Sequence, residues 1–403
     1  MAILFIFLIL ENILEKFIPF LNFFDEVLTI FSLVLLVIFR NKLVINRNEI
    51  IMLVSFMITI IIGIISNLLA GVRVVPIAVI KDIIQISKFF IIYMFGTSYL
   101  YKGITRVAFR RISCFSKAYL VILLIFGLAS QFIDLGMTGD KRYFIYSYAF
   151  LYSHETFLVS AVIIMISVLL AQNDIKNKYY IIAGFCVLLL TMRSKAIIFM
   201  LVVISMEILG QRYDFITKGS QFWKKNWAKI ILVGIFVFGV AILFLQSKVM
   251  LYVGYGMRAA RPALYIVGFK IMRDFFPVGV GFGEFASYIS TTYNSPIYTR
   301  YGIQEVSGLN YETHYAYVSD TYWPYIFGQL GVLGTISYLI ALYYTFKNVV
   351  KKIGNTRGKL TAAIALISYM IFACFAESLL TNSDIIIYAL TLSYYLNIDG
   401  ENI

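Results

Sequence analysis

Long apolar runs, broken by short polar segments, set the pattern of this chain. A helix that crosses a bilayer needs about 20 apolar residues at roughly 1.5 Å of rise each. Runs of that kind fall near 2–20, 25–40, 49–69, 76–100, 112–133, 154–171, 179–192, 195–210, 229–246, 319–346, 361–380 and 384–399. They predict an all-α polytopic membrane protein of about twelve transmembrane helices, one integral membrane domain over residues 1–403. The runs at 179–192 and 195–210 are short, and Arg193-Ser194-Lys195 between them reads as the tip of a hairpin. The first stretch, Met1 to Leu10, has no basic flank and no small-residue cleavage site, so it reads as part of a first helix and not as a cleaved signal.

Lysine and arginine mark the loops that stay in the cytoplasm. One set of loops carries Arg40, Lys42 and Arg47; Lys102, Arg106, Arg110 and Arg111; Lys176 and Lys178; Arg212, Lys218, Lys224 and Lys225; and Lys347, Lys351, Lys352, Arg357 and Lys359. These alternate with the other set, which places both termini inside. Residues 211–228, with Trp223 and Trp227 among lysines, read as an amphipathic cytoplasmic elbow at the headgroup level. The opposite loops are short except for 134–153 and a large loop at 247–318. A long insertion in a minimal loop set is where function usually sits.

That large loop breaks the positive-inside rule with Lys248, Arg258, Arg261, Lys270, Arg273 and Arg300. Pro262 suits the first turn of a helix running to about Asp274. Arginine presents a planar fork that fits phosphate oxygens, so the pair Arg258 and Arg261 points to an anionic ligand. Contact with lipid headgroups is the plainer reading for any single basic residue here. The loop is also rich in tyrosine, which suits sugar rings or an interfacial belt. The glycines in Phe276-Pro277-Val278-Gly279-Val280-Gly281-Phe282-Gly283-Glu284-Phe285 lack the spacing of a dinucleotide fingerprint. They permit a sharp turn or a close approach to a ligand.

Charged groups also fall within apolar runs, where they are costly and usually face a cavity or a partner. Lys81, Gln85 and Lys88 share one helix face, and Glu377 lies in the eleventh run. Of this group Arg193 is the first candidate, then Lys195, Lys88 and Glu377. The only histidines, His154 and His314, come from different loops and make no metal set. His314, just before the tenth run, and Asp320, at its start, are candidate general bases; Asp320 also suits a helix N-cap. No cofactor motif appears.

Composition sharpens the class. The chain is 61% hydrophobic and 14% charged, against about 25% charged in soluble domains, which excludes an ordinary soluble fold. A net charge of +13 would suggest nucleic acid, but most basic residues lie in short loops where membrane topology accounts for them. The three cysteines, Cys114, Cys186 and Cys374, all lie in apolar runs, so no disulfide framework is visible.

Taken together, the segments Arg258-x-x-Arg261-Pro262, Asp274-x-x-Pro277-x-Gly279-x-Gly281-x-Gly283-x-Phe285, Ser319-Asp320-Thr321-Tyr322-Trp323 and Gln329-Leu330-Gly331-Val332-Leu333-Gly334 resemble the O-antigen polymerase and ligase superfamily of bacterial membrane glycosyltransferases. Arg193-Ser194-Lys195 is similar to its Arg-bearing outer hairpin. The resemblance implies a GT-C-like helical fold in the bacterial plasma membrane, with the site on the extracytoplasmic face. It also implies inverting, metal-independent transfer of sugars from an undecaprenyl pyrophosphate carrier. Ligases of the superfamily carry a His-Asn pair where this chain has Asp320-Thr321, and an acidic residue where it has Gln329. Both departures favour a Wzy-type polysaccharide polymerase over a ligase.

On that reading Arg258, Arg261, Arg193 and Lys195 bind pyrophosphate, Asp320 or His314 is the base, and Lys88, Glu377 and Tyr322 face the substrate cavity. The tyrosines and the 134–153 loop hold sugars. Partners would be lipid-linked oligosaccharides, membrane lipids, and the chain-length regulator and flippase of the same pathway. A lipid-linked oligosaccharide flippase is the reading from another class. It calls for charges deep along several helices and no dominant outer loop.

Overall fold

The computed structural model describes residues 2–100, 106–142, 144–209, 239, 250, 252, 254–354 and 356–393. Apart from Gly239, the elbow at 211–228 and the run at 229–246 lie outside the described residues, as do Lys102, Arg212, Lys248 and the end of the run at 384–399. The protein is mostly helical. In chain order the main helices are α1 (Ala2–Glu15), α2 (Phe24–Ile38), α3 (Arg47–Leu69), α4 (Pro76–Phe95), α5 (Arg106–Ala129), α6 (Glu155–Ala171), α7 (Asn177–Leu190) and α8 (Ser194–Leu209). They continue with α9 (Ala260–Asp274), the short α10 (Tyr288–Thr292) and α11 (Ile297–Arg300), then α12 (Trp323–Ile353), α13 (Arg357–Ala373) and α14 (Ile385–Ser393). Two strands, β1 (Thr138–Arg142) and β2 (Ile145–Tyr148), pair antiparallel as a hairpin between α5 and α6.

Every apolar run that falls among the described residues is occupied by a helix. Four helical segments, Pro19–Ile38, Arg47–Leu69, Val107–Ala129 and Trp323–Ile353, are long and apolar enough to cross a membrane by length and composition. The helix expected from Pro262 to about Asp274 is α9, and it packs along α12.

Local chemistry explains the boundaries. At α3, Asn46 caps the N-terminus, accepting from the backbone N–H groups of Asn48 and Glu49, while Glu49 accepts from the Asn46 N–H. This reciprocal pair satisfies donors that a helix start leaves open. Glu49 also takes Lys352 Nζ at 2.7 Å and Asn348 Nδ2 at 3.0 Å, which ties the start of α3 to the end of α12. The same end of the bundle joins Arg357 of α13 to Glu207 of α8 at 2.7 Å, and Ser113 of α5 to Gln172 after α6 at 2.8 Å. The segments rich in Lys and Arg therefore gather at one end. The β hairpin, Arg193 and Asp320 lie at the other, roughly 45 Å of helix away along α12.

Helix α6 is apolar on all sides and is buried from Leu158 to Ala171, as expected of a helix at the centre of a bundle. The most extensive packing joins α3 and α12, where small residues bring the backbones close. Ser337 Oγ donates to the Ser55 carbonyl at 2.7 Å.

The described part of the expected large loop is folded. After α9 the chain dives between α3, α4 and α12, burying Val280, Phe282 and Phe285 completely. Irregular backbone is tolerated inside a bundle only when its polar groups find partners, and here side chains supply them. Asn67 brackets Phe282, accepting from its N–H and donating to its carbonyl, each at 2.9 Å. Asp82 accepts the Gly283 N–H at 2.6 Å, and Gln329 donates to the Phe285 carbonyl at 2.7 Å. At Gly331, with φ 59° and ψ −158°, α12 breaks its helical path. The glycine segment lies in that break: Val280 and Gly281 donate to the carbonyls of Gly328 and Gln329, and Leu333 donates to that of Pro277. The close approach these glycines permit is thus to a helix backbone.

Candidate anion-binding site

At the hairpin end of the bundle the described residues enclose a cavity of about 890 Å³, within the size range of small-ligand sites. Four arginines line it: Arg142 from β1, Arg193 from the α7–α8 turn, Arg258 from the turn before α9, and Arg261 from the first turn of α9. Asp320 is the one carboxylate of the lining among the described residues. The balance strongly favours an anion.

Arg193 is held from behind. Its guanidinium reaches Glu155 Oε2 at 2.5 Å and His154 Nε2 at 2.8 Å. Glu155 is buried, and its other oxygen accepts from Ser147 Oγ of β2 at 2.7 Å. His154 also caps α6: its Nδ1 accepts from the Thr156 N–H at 3.3 Å and lies 2.9 Å from Thr156 Oγ1. Arg193 Nε is buried and has no partner among the described residues. A buried donor left open in this way is a costly feature that a ligand would relieve.

Arg261 Nη2 and Nε approach Asp320 Oδ2 at 3.0 and 3.2 Å, and Nη1 donates to the Tyr252 hydroxyl at 2.9 Å. Both partners of this ion pair are about 30% exposed (28% and 32%), so the attraction is screened and exchangeable. Partial burial raises the Asp320 carboxyl above its ordinary range, opposed by Arg261, a setting suited to proton transfer. Arg258 is exposed and makes no ion pair among the described residues. Between the two arginines, α9 begins without a side-chain cap. Its open N–H groups and dipole add to the pull on a negative charge. Ile145, Leu188, Leu189 and Ile197 add an apolar wall, and Leu189 is exposed.

The structure therefore brings Arg193, Arg258, Arg261 and Asp320 together in one lining, and the remaining candidates are not part of it. Lys88 is buried against Asp25 at 2.5 Å, with Glu26 at 3.6 Å, a closed ion pair between α4 and α2. Lys195, behind the lining, is buried in an ion pair with Glu377, which Tyr369 also contacts. Tyr322 is fully buried, its hydroxyl donating to that of Tyr338 at 2.6 Å. His314 is exposed, in a left-handed turn with Tyr315, and is not among the residues lining the cavity.

Compared with protein-family models and with characterised proteins, the chain matches neither. The site is therefore read from its own geometry. Sequence reasoning missed Arg142 and the Ser147–Glu155–His154 support. A signal for Arg142 was present: Lys141 and Arg142 break the positive-inside pattern on the 134–153 loop as Arg258 and Arg261 do on the larger one.

Proposed function

We propose that this chain is a membrane glycosyltransferase of the polysaccharide-polymerase type. It would transfer a growing glycan from undecaprenyl pyrophosphate to a hydroxyl of a lipid-linked repeat unit. The observation that carries this reading is the convergence of four arginines and an uncapped helix start on one cavity with an aliphatic wall. The arginines suit a pyrophosphate and the wall suits a prenyl chain. Arg258, Arg261 and Arg193, joined by Arg142, would grip the two phosphates. As the bond from the anomeric carbon to the phosphate oxygen breaks, its electron pair leaves with the pyrophosphate, and the guanidinium groups stabilise the charge. Asp320 would accept the proton of the attacking hydroxyl, and the new bond would form on the opposite face of the sugar.

The same reading places about twelve spans in a bacterial plasma membrane, the gathered Lys and Arg end in the cytoplasm, and the cavity and loop 247–318 outside. It expects the chain-length regulator and the flippase of the pathway as partners. A cysteine placed at Asn294 should react with an impermeant reagent on intact cells, and one at Lys176 only after permeabilisation. Equal labelling of both would overturn the orientation.

A flippase is less well supported. The deep charges Lys88–Asp25 and Lys195–Glu377 are closed pairs, and the described lining of the cavity comes from one end of the bundle. A ligase differs only in its acceptor. Deleting the protein in its host and inspecting lipid-linked glycans separates the two transfer readings. A polymerase leaves single repeats on the carrier; long unattached chains indicate a ligase; unchanged glycans would refute transfer altogether.

A further inference from the structure

A second, open cleft of about 480 Å³ adjoins the cavity. Among the described residues, Arg142 and Arg193 line both spaces. The two differ in character. The cavity has the aliphatic wall, whereas the cleft is edged by Lys16, Thr138, Asp140 and Ser153, with Phe150 at its side.

The hairpin builds this cleft. Its pairing is irregular between Thr138 and Lys141, and such irregularities re-aim side chains beside functional sites. One side of the hairpin is anchored. Gln131 clasps Tyr146 through two hydrogen bonds of 3.1 and 2.9 Å, Ser147 donates to Glu155, and Tyr148 is fully buried. The other side presents Asp140 and Arg142, neither of which has an ion-pair or hydrogen-bond partner among the described residues. A carboxylate that accepts two bonds and a guanidinium fork that donates two are groups that grip a sugar's hydroxyls, and Phe150, packed against Tyr119, Phe126 and Tyr148, backs the cleft.

We propose that this cleft is the acceptor subsite, holding the sugar whose hydroxyl attacks, and that the β1–β2 hairpin selects it. The proposal rests on the transfer reading above. The acceptor hydroxyl would pass between Arg142 and Arg193 toward Asp320. The hydroxyl proton goes to the Asp320 carboxylate, its oxygen bonds to the anomeric carbon of the donor, and the pyrophosphate departs with the electron pair of the broken bond. The chain of contacts Ser147–Glu155–Arg193 links the hairpin to a donor-binding arginine, so filling the cleft also sets the position of Arg193.

The test uses the full chain in lipid nanodiscs, with lipid-linked oligosaccharide as donor and a fluorescent, lipid-free repeat unit as acceptor. Inorganic pyrophosphate serves as the probe of the donor site. Asp140→Ala and Asp140→Asn should each raise the acceptor KM about tenfold, the factor equivalent to one lost hydrogen-bonded contact. Turnover at saturating acceptor and inhibition by pyrophosphate should hold at wild-type levels. Arg258→Ala should do the reverse, weakening pyrophosphate with little change in acceptor KM. An unchanged acceptor KM in both Asp140 variants, or a loss of pyrophosphate inhibition in them, would overturn the subsite while leaving the transfer reading intact. A wild-type protein that elongates neither acceptor nor carrier would overturn both.

Discussion

Replacing Arg258 and Arg261 together by alanine should lower polymerisation by at least about a hundredfold while the protein still inserts and extracts normally. Removing one donor aimed at transition-state charge costs about 3 kcal/mol, and this variant removes two forks from one anion. The structure separates this outcome from simple misfolding. Arg258 is exposed and supports nothing among the described residues. Arg261 touches Asp320 and Tyr252 at a part-exposed edge. Lysine at either position should rescue little, because a point charge does not reproduce a fork. If these side chains met only headgroups, each loss would be about 1 kcal/mol per charge, and chain length would barely change.

The single variants should differ in pH dependence. Asp320 must be ionised to accept a proton, so activity falls as pH drops through its pKa. Burial already raises that carboxyl and Arg261 holds it down. Arg261→Ala should therefore shift the acid limb of the rate profile to higher pH, and Arg258→Ala should leave it in place. Near-normal chain length in the double variant would refute the phosphate site.

What could be read in advance depended on whether a residue's role is local. Segments with a local signal were legible, such as α3 from its apolar run and α9 from Pro262 in its first turn, because those residues act on their own helix. Arg258, Arg261 and Arg193 were legible as charges out of place. Partners that come from distant sequence were not. Lys88 looks like a cavity cation until Asp25, 63 residues away, closes on it. His314 and Asp320 are six residues apart and chemically alike as bases, yet the positive φ values of His314 and Tyr315 belong to an exposed turn while Asp320 meets Arg261. The glycine segment was legible as a close approach, but nothing local to it names Gly331, Asn67 and Asp82 as the groups approached.

Gly279→Ala should be among the most damaging small substitutions in the chain, costing about 3–5 kcal/mol. Two terms combine. The residue sits at φ 81°, where a side chain adds roughly 1–3 kcal/mol of backbone strain. Its Cβ would lie 2.5 Å from Gly331 N, 2.6 Å from the Gly328 oxygen and 2.7 Å from the Gln329 oxygen. All three are backbone atoms that cannot swing aside, and overpacking of this kind costs a further 1–3 kcal/mol or so. Gly71→Ala is the control: it shares the positive φ, at 61°, but among the described residues beyond its chain neighbours no atom lies within 4 Å of the added carbon, so about 1 kcal/mol is expected. Thermal loss of the monodisperse peak in detergent would measure both, and equal melting of the two variants would sink the argument. The substitution should reach the site as well. The contacts of Val280, Gly281 and Leu333 fasten the chain after α9 into the break in α12, and the start of α9 carries Arg261 and follows Arg258. Loosening that fastening frees the arginines from the positions in which they converge, so surviving Gly279→Ala protein should bind pyrophosphate more weakly than its folded fraction accounts for.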